Sequence, residues 1–343
     1  MKKYLNTLFV TTQGAYLNKE GEAVVVSVER EIKMRMPIHT LGGIVCFGNV
    51  LASPFLMHHC AENNVLVSFL SENGRFLARV QGPVNGNVLL RRQQYRLADD
   101  RTASAHISRA IVLGKAANAR TVLQRAVRDH ENKAGMEAVE AAVDRLGTLI
   151  RLLQGEQDLD AIRGREGDIG RVYFSVFDKM ITAQKDAFSF TERTRRPPMD
   201  NMNALLSFIY TLLAHDCIGA LEAVGLDPQV GFLHRDRPGR PSLALDLMEE
   251  FRPWLADRLA ITLINRQQIG PDDFKLREGG AVEFTDAGRK RVIKAYQERK
   301  QEALQHPLLD QQLRLGQMPF VQARLLARHL RGDVAEYIPL VPK

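Results

Sequence analysis

Along the first part of the chain, apolar residues fall in short runs rich in β-branched side chains, separated by turn residues. Leu5-Asn6-Thr7-Leu8-Phe9-Val10, Ala23 to Val28 and Val65 to Leu70 read as strands, and Asn18 to Glu22 as a turn between the first two. Ser71-Glu72-Asn73-Gly74 reads as a hairpin turn into a strand from Phe76 to Val80. One helix interrupts the strands, capped by Ser53 with Pro54 at its first position and ended by Asn63-Asn64. The texture changes after Gly82-Pro83 and Asn85-Gly86. From Val88 onward apolar residues recur every three to four positions, and 102–130, 134–154, 159–185, 202–224 and 242–268 read as amphipathic helices. A small hairpin is expected at Phe274-Lys275-Leu276 and Val282-Glu283-Phe284, then a helix capped by Thr285 or Asp286, a last helix over 317–331, and a tail after Gly332. The pattern predicts an α+β chain with a strand-rich domain over 1–85 and a larger all-α domain over 86–343.

Composition narrows the class. The 343 residues suffice for two domains, and 45% hydrophobic with 25% charged residues is ordinary for a globular protein. No run approaches about 18 uninterrupted apolar residues, so no membrane span is expected. The Met1-Lys2-Lys3 start is followed by Asn6, Thr7, Thr11 and Thr12, which break an apolar run and favour a first strand over a signal peptide. Three widely spaced cysteines, Cys46, Cys60 and Cys217, form no CxxC pair; a reducing cytoplasm fits them better than a disulfide framework or a zinc site. The net charge of +7 permits phosphate binding without proving it.

Three segments carry candidate chemistry. On a helix through Leu243 to Glu250, Asp246 lies three and four residues from Glu249 and Glu250, so the carboxylates share a face. Two such charges about 6 Å apart repel by roughly 3 kcal/mol, about two pKa units. A divalent cation would offset that repulsion; so would Arg252 or Arg258, leaving an ordinary solvated face as the alternative. Upstream, Gly164, Gly167 and Gly170 recur every third residue around Glu166. Glycine at helix-interior positions costs about 1 kcal/mol each, so the run suggests close approach of another helix or of a nucleic-acid strand. His234 follows apolar Phe232 and Leu233, where a histidine is either a structural group or a ligand. Two stretches without helical periodicity, 192–199 and 225–241, are expected at the surface.

Taken in order, these segments resemble the CRISPR-associated spacer-acquisition integrases, the Cas1 family, in the form found in type I-C systems. The resemblance runs over nearly the whole chain. It rests on Gly164-x-Glu166-Gly167, Arg195-Arg196-Pro197-Pro198-x-Asp200-x-x-Asn203, Leu206-Ser207-Phe208-x-Tyr210, Gly225-Leu226-Asp227-Pro228-x-x-Gly231-Phe232-Leu233-His234 and Asp246-Leu247-Met248-Glu249-x-Phe251-Arg252. It implies an N-terminal β-sandwich that forms a homodimer and a helical catalytic domain. Glu166, His234 and Glu249 would hold one Mn²⁺ or Mg²⁺, with Asp246 an accessory catalytic acid. Some members carry aspartate at the position of Glu249, and alanine at that of Gly170. The implied activity is a DNA endonuclease and integrase acting on double-stranded DNA with a small dimeric partner, Cas2. Arg163, Arg193, Arg195, Arg196, Arg235, Arg237 and Arg240 adjoin the ligand segments and are candidate DNA contacts, as are Arg289, Lys290, Arg291 and Lys294 on the late helix; for each, a solvated surface role stands as the alternative. A stand-alone nuclease on branched DNA and a non-catalytic DNA-binding scaffold are the competing readings.

Overall fold

The computed structural model describes residues 7–63, 65–72, 74, 76–82, 88–129, 135–195 and 197–342. Leu5-Asn6, Asn64, Asn73 and the expected boundary at Pro83, Asn85 and Gly86 lie outside them, as does Arg196. The chain forms two compact units, residues 1–85 with 292–301, and residues 86–291 with 302–343.

The first unit is built on two four-stranded sheets. One joins β1 (Thr7–Val10), β5 (Gly43–Phe47), β7 (Leu66–Leu70) and β8 (Phe76–Val80), the first three parallel and the last antiparallel. The other orders β4 (Glu31–Pro37), β3 (Ala23–Val28), β2 (Tyr16–Glu20) and β6 (Leu51–Ala52). Strand β2 runs through much of the expected turn, which is confined to Gly21-Glu22. Alternation within each strand directs Leu8, Val10, Ile44, Cys46 and Val67 from one sheet, and Leu17, Val24 and Val26 from the other, into one core. Helix α1 (Pro54–Glu62) starts where Ser53 accepts the Leu56 amide, and adds Leu56 and Cys60 to that core. Burial pushes the Cys46 and Cys60 thiols up to about 12, which keeps them protonated and unreactive.

The second unit is helical. Its framework is α2 (Val88–Asp99), α3 (Arg101–Asp129), α4 (Met136–Gln154), α5 (Leu159–Ser175) and α6 (Asn201–Ala223), followed by α7 (Ser242–Glu249), α8 (Arg258–Asn265) and α10 (Met318–Leu330); α9 (Asp286–Gln301), divided so that its residues from Val292 onward belong to the first unit, lies between α8 and α10 in the chain. Hairpins β9–β10 (Phe274–Leu276, Val282–Phe284) and β11–β12 (Ala303–His306, Gln311–Arg314) complete it. The helix expected over 159–185 ends at Ser175 and gives way to a 3₁₀ turn. The one expected over 242–268 is broken by a π-helical turn at Arg252–Asp257, where Pro253 has no amide to continue the ladder. By length and hydropathy alone α6 qualifies as a membrane span. Its Leu205, Leu206, Ile209, Leu213 and Leu221 are buried, and it packs on α7 and α10, as the core helix of this unit does. The residues after Gly332 are not a free tail: Tyr337 and Leu340 are buried, and Asn118 of α3 donates to the Leu340 carbonyl at 2.8 Å.

Candidate metal centre

Three elements bring Glu166, His234 and Glu249 together. Asp158 caps α5 by accepting the Ala161 amide at 2.8 Å, and two turns on the helix presents Glu166, 28% of its side chain exposed. Glu249 ends α7 and is 1% exposed. His234 comes from the irregular segment between α6 and α7.

That segment was expected at the surface, yet its first half is buried at Leu226, Phe232 and Leu233; residues 235–239 are exposed. Its backbone groups are satisfied by side chains from three helices, which removes the usual reason for a loop to stay in water. Gln94 of α2 donates to the carbonyls of Asp227 and Val230, both at 2.8 Å, and accepts the Asp227 amide at 2.9 Å. Arg163 of α5 donates to the carbonyls of Leu233 (2.7 Å) and Phe232 (3.4 Å). Asp246 of α7 accepts the amides of Phe232 (2.7 Å), Leu233 (3.0 Å) and His234 (2.9 Å). It also meets His234 Nδ1 at 2.7 Å. Since the carboxylate already receives three N–H groups, Nδ1 is the donor and Nε2 is left free to ligate. Asp246 is wholly buried, and both its oxygens are taken up in holding the His234 segment.

The repulsion expected along α7 does not arise, because the three acids face three different neighbours. Asp246 meets the His234 segment. Glu250 turns to the C-terminal segment, accepting hydrogen bonds from Tyr337 Oη, from Gln322 Nε2 at 2.9 Å and from the Leu340 amide at 2.8 Å. Burial nonetheless raises its pKa to about 7. Glu249 faces Lys115 Nζ at 2.8 Å and Arg252 Nη1 at 2.9 Å, with His234 Nε2 farther off at 3.9 Å. Burial alone would raise the Glu249 pKa; Arg252, Lys115 and His234 outweigh it and hold the carboxyl below its ordinary range. Lys115 also pairs with Glu166 Oε1. Burial opposes its charge, but Glu249 and Glu166 hold the ammonium above its ordinary pKa. Arg252 lies over the Tyr210 ring, 5.1 Å from its centre, and Tyr210 donates to buried Asp257 at 2.6 Å. Burial raises the Asp257 pKa to about 6.

The donor set suits a divalent cation in kind: two carboxylates and an imidazole whose far nitrogen is anchored. Neither Glu249 oxygen, though buried, receives a hydrogen bond of good geometry. The 3.9 Å between Glu249 Oε1 and His234 Nε2 lies within the ~4.2 Å reach of two donors on one ion. Among the described residues no three acidic, histidine or cysteine side chains converge tightly enough to hold an ion as they stand. Lys115 stands between two of them.

Lys115 was not singled out by the sequence, though a signal exists. On α3, Ile111, Lys115, Asn118 and Val122 form a buried stripe at helical spacing, and a lysine within it requires partners. The glycines around Glu166 show the reverse: a Cβ built at Gly164, Gly167 or Gly170 meets nothing within 4 Å. No described helix packs there, and the backbone beside Glu166 is bare. The arginines divide into two groups. Arg163 braces the His234 segment. Arg193 is turned inward, donating to Asn203 Oδ1 at 2.6 Å and to Ser207 Oγ at 3.0 Å, with the Tyr210 ring below it. Arg195, Arg235 and Arg237 are exposed, Arg235 pairing with Asp160 at 3.2 Å, and Arg240 is half-buried. Asp160 also takes Arg101 and Arg163, and these hydrogen bonds lower its pKa to about 2.

A strand-rich unit is followed by a helical unit in which Glu249 approaches His234 and shares Lys115 with Glu166. The family model described as CRISPR associated protein Cas1 matches residues 8–298, and the chain belongs to that family. It is 55% identical over 341 residues, 99% of both chains, to the CRISPR-associated endonuclease Cas1 1 of Chlorobaculum tepidum. A casposase bound to integration product shares the fold, with a TM-score of 0.82 at 23% identity over 97% of this chain and 92% of that one. So does a chain of a Cas6-RT-Cas1–Cas2 complex, with a TM-score of 0.81 at 23% identity; 98% of this chain spans 36% of that longer one.

Proposed function

We propose that this chain is a divalent-metal-dependent DNA endonuclease and strand transferase, which inserts short DNA fragments into a CRISPR array. The carrying observation is the approach of Glu249 to the Asp246-anchored His234, 3.9 Å from Oε1 to Nε2, with Glu166 joined to the same Glu249 through Lys115. Mn²⁺ or Mg²⁺ held there would polarise the scissile phosphate and stabilise the leaving oxygen. Asp246 fixes the His234 tautomer, and Arg163 and Gln94 hold the segment that carries it. Arg252, fixed over Tyr210, keeps positive charge beside Glu249 where a phosphate would arrive. The bare backbone at Gly164 and Gly167 leaves Glu166 open to a DNA strand, and exposed Arg195, Arg235 and Arg237 offer phosphate contacts that position without reading sequence. The attacking group is a fragment 3′-hydroxyl in joining, or water in cutting.

The family membership and the casposase and Cas1–Cas2 neighbours support this reading. We extend it to a homodimer formed through the strand-rich unit, a small dimeric partner of the Cas2 kind, a type I-C setting and a cytoplasmic location. The test is strand transfer: protein with and without its partner, a labelled duplex bearing 3′-hydroxyls, a supercoiled plasmid carrying a repeat array, and Mn²⁺. Label joined covalently to the plasmid, and lost with His234→Ala, supports integration. Cutting without joining in the partner's presence would leave a stand-alone nuclease on branched DNA; the relatives' name says only endonuclease. DNA binding with no reaction would leave a scaffold.

A further inference from the structure

We propose that Lys115 is a built-in counter-cation of the Glu166–Glu249 pair, displaced when a divalent metal binds, and that it sets the metal affinity of the centre. The inference rests on the reading of Glu166, His234 and Glu249 as metal ligands. It starts from the burial of Lys115, whose side chain is 11% exposed in the core-facing stripe of α3. Removing an ammonium from water costs several kcal/mol unless it is well paired. Here the pairing comes from the same two carboxylates, Glu166 Oε1 and Glu249 Oε2, the latter at 2.8 Å.

An ion liganded by two carboxylates lies between their oxygens, at about 2.1 Å from each. Nζ of Lys115 lies between these oxygens at hydrogen-bonding distance, so the metal and the ammonium contend for one place. Their mutual repulsion at such separation is large in a buried site. The lysine has an unbranched stem with which to move aside, and Glu166 is the more exposed of its two partners. Arg252 does not share this role: of the two carboxylates it forms an ion pair with Glu249, and it is fixed over Tyr210. The arrangement would let the unit fold with Glu249 buried and charged before metal arrives, at the expense of metal affinity.

The experiment compares the full chain with Lys115→Met, Lys115→Gln and His234→Ala. Mn²⁺ affinity is read from the electron paramagnetic resonance of free Mn²⁺, and melting temperatures are taken in EDTA and in saturating Mn²⁺. Both lysine variants are expected to bind Mn²⁺ at least tenfold more tightly than wild type, about 1.4 kcal/mol. They should melt lower in EDTA and gain more from Mn²⁺. Should Lys115→Met not fold, Lys115→Gln, which keeps a donor N–H, carries the comparison. Affinity unchanged or weakened in the folded variants overturns the inference while leaving the metal site standing. A lysine with only a structural role would lower melting equally with and without Mn²⁺, and would overturn it too. If wild type and both lysine variants bind no better than His234→Ala, the metal reading fails and takes this inference with it.

Discussion

His234 and Asp246 act as one group: Nδ1 donates to Asp246 Oδ1 across 2.7 Å, and the same carboxylate gathers the amides of Phe232, Leu233 and His234. Asparagine at 246 would set an NH₂ group against two of these four donors. Asp246→Asn is expected to weaken Mn²⁺ binding by about 10- to 100-fold and to destabilise the fold by roughly 2–3 kcal/mol. Mn²⁺ titration and urea unfolding measure the two effects. Unchanged Mn²⁺ affinity would mean that the carboxylate does not orient the ligand.

Gly231 makes that cradle possible by its size. A Cβ there would lie 2.8 Å from Asp246 Oδ2 and 2.8 Å from the Ser242 carbonyl carbon, and the backbone atom cannot step aside. Gly231→Ala should therefore destabilise the second unit by about 1–3 kcal/mol and weaken Mn²⁺ binding in the protein that still folds. A variant that melts and binds like wild type would show that the segment has room to shift.

These dependencies mark how far the sequence could be read. The longest helices and the order of strands before helices follow from apolar periodicity, and α3, α4 and α6 lie within two residues of expectation. Glu166, His234 and Glu249 could be selected only through their resemblance to a family, since 166, 234 and 249 share no local spacing. Lys115 belongs to a helix that otherwise reads as ordinary core, and its partners are 51 and 134 positions away. Strand β4 does alternate, Ile32, Met34 and Met36 with Glu31, Lys33 and Arg35, but its residues are largely exposed, so the alternation marks no buried face. The C-terminal segment has no periodicity at all; it is ordered by Glu250, Asn118 and Gln322. Pattern reports what one element buries against a generic core, whereas these features depend on particular partners distant in the chain.

The arginines should separate by assay. Arg163 donates to backbone carbonyls of the His234 segment, so Arg163→Ala is expected to cost about 1–3 kcal/mol of stability and to weaken Mn²⁺ binding. It should leave the salt dependence of DNA binding as it is. Arg195, Arg235 and Arg237 are exposed. Replacing all three with alanine should leave melting within about 1 kcal/mol of wild type and lower the slope of log affinity against log salt by roughly 3. Fluorescence anisotropy on a short duplex at several salt concentrations reads this. An unaltered slope would remove these residues from the DNA path.

Glu250 gives the fold a pH dependence of definite sign. Burial raises its pKa from 4.5 to about 7, so between these values the native state holds a proton that the unfolded chain has released. Its contribution therefore falls as pH rises: the penalty is absent below about 4.5 and complete above about 7. A rise of that size corresponds to roughly 3 kcal/mol. In Glu250→Gln the amide oxygen can accept Gln322 and Leu340 while its NH₂ meets Tyr337, whose hydroxyl turns to accept. The variant carries no charge to bury. Its stability relative to wild type should improve by up to about 3 kcal/mol from pH 4.5 to pH 8, as urea unfolding of both proteins at each pH would measure. A difference between variant and wild type that stays constant across this range would show that Glu250 titrates in the native state as it does in the unfolded chain.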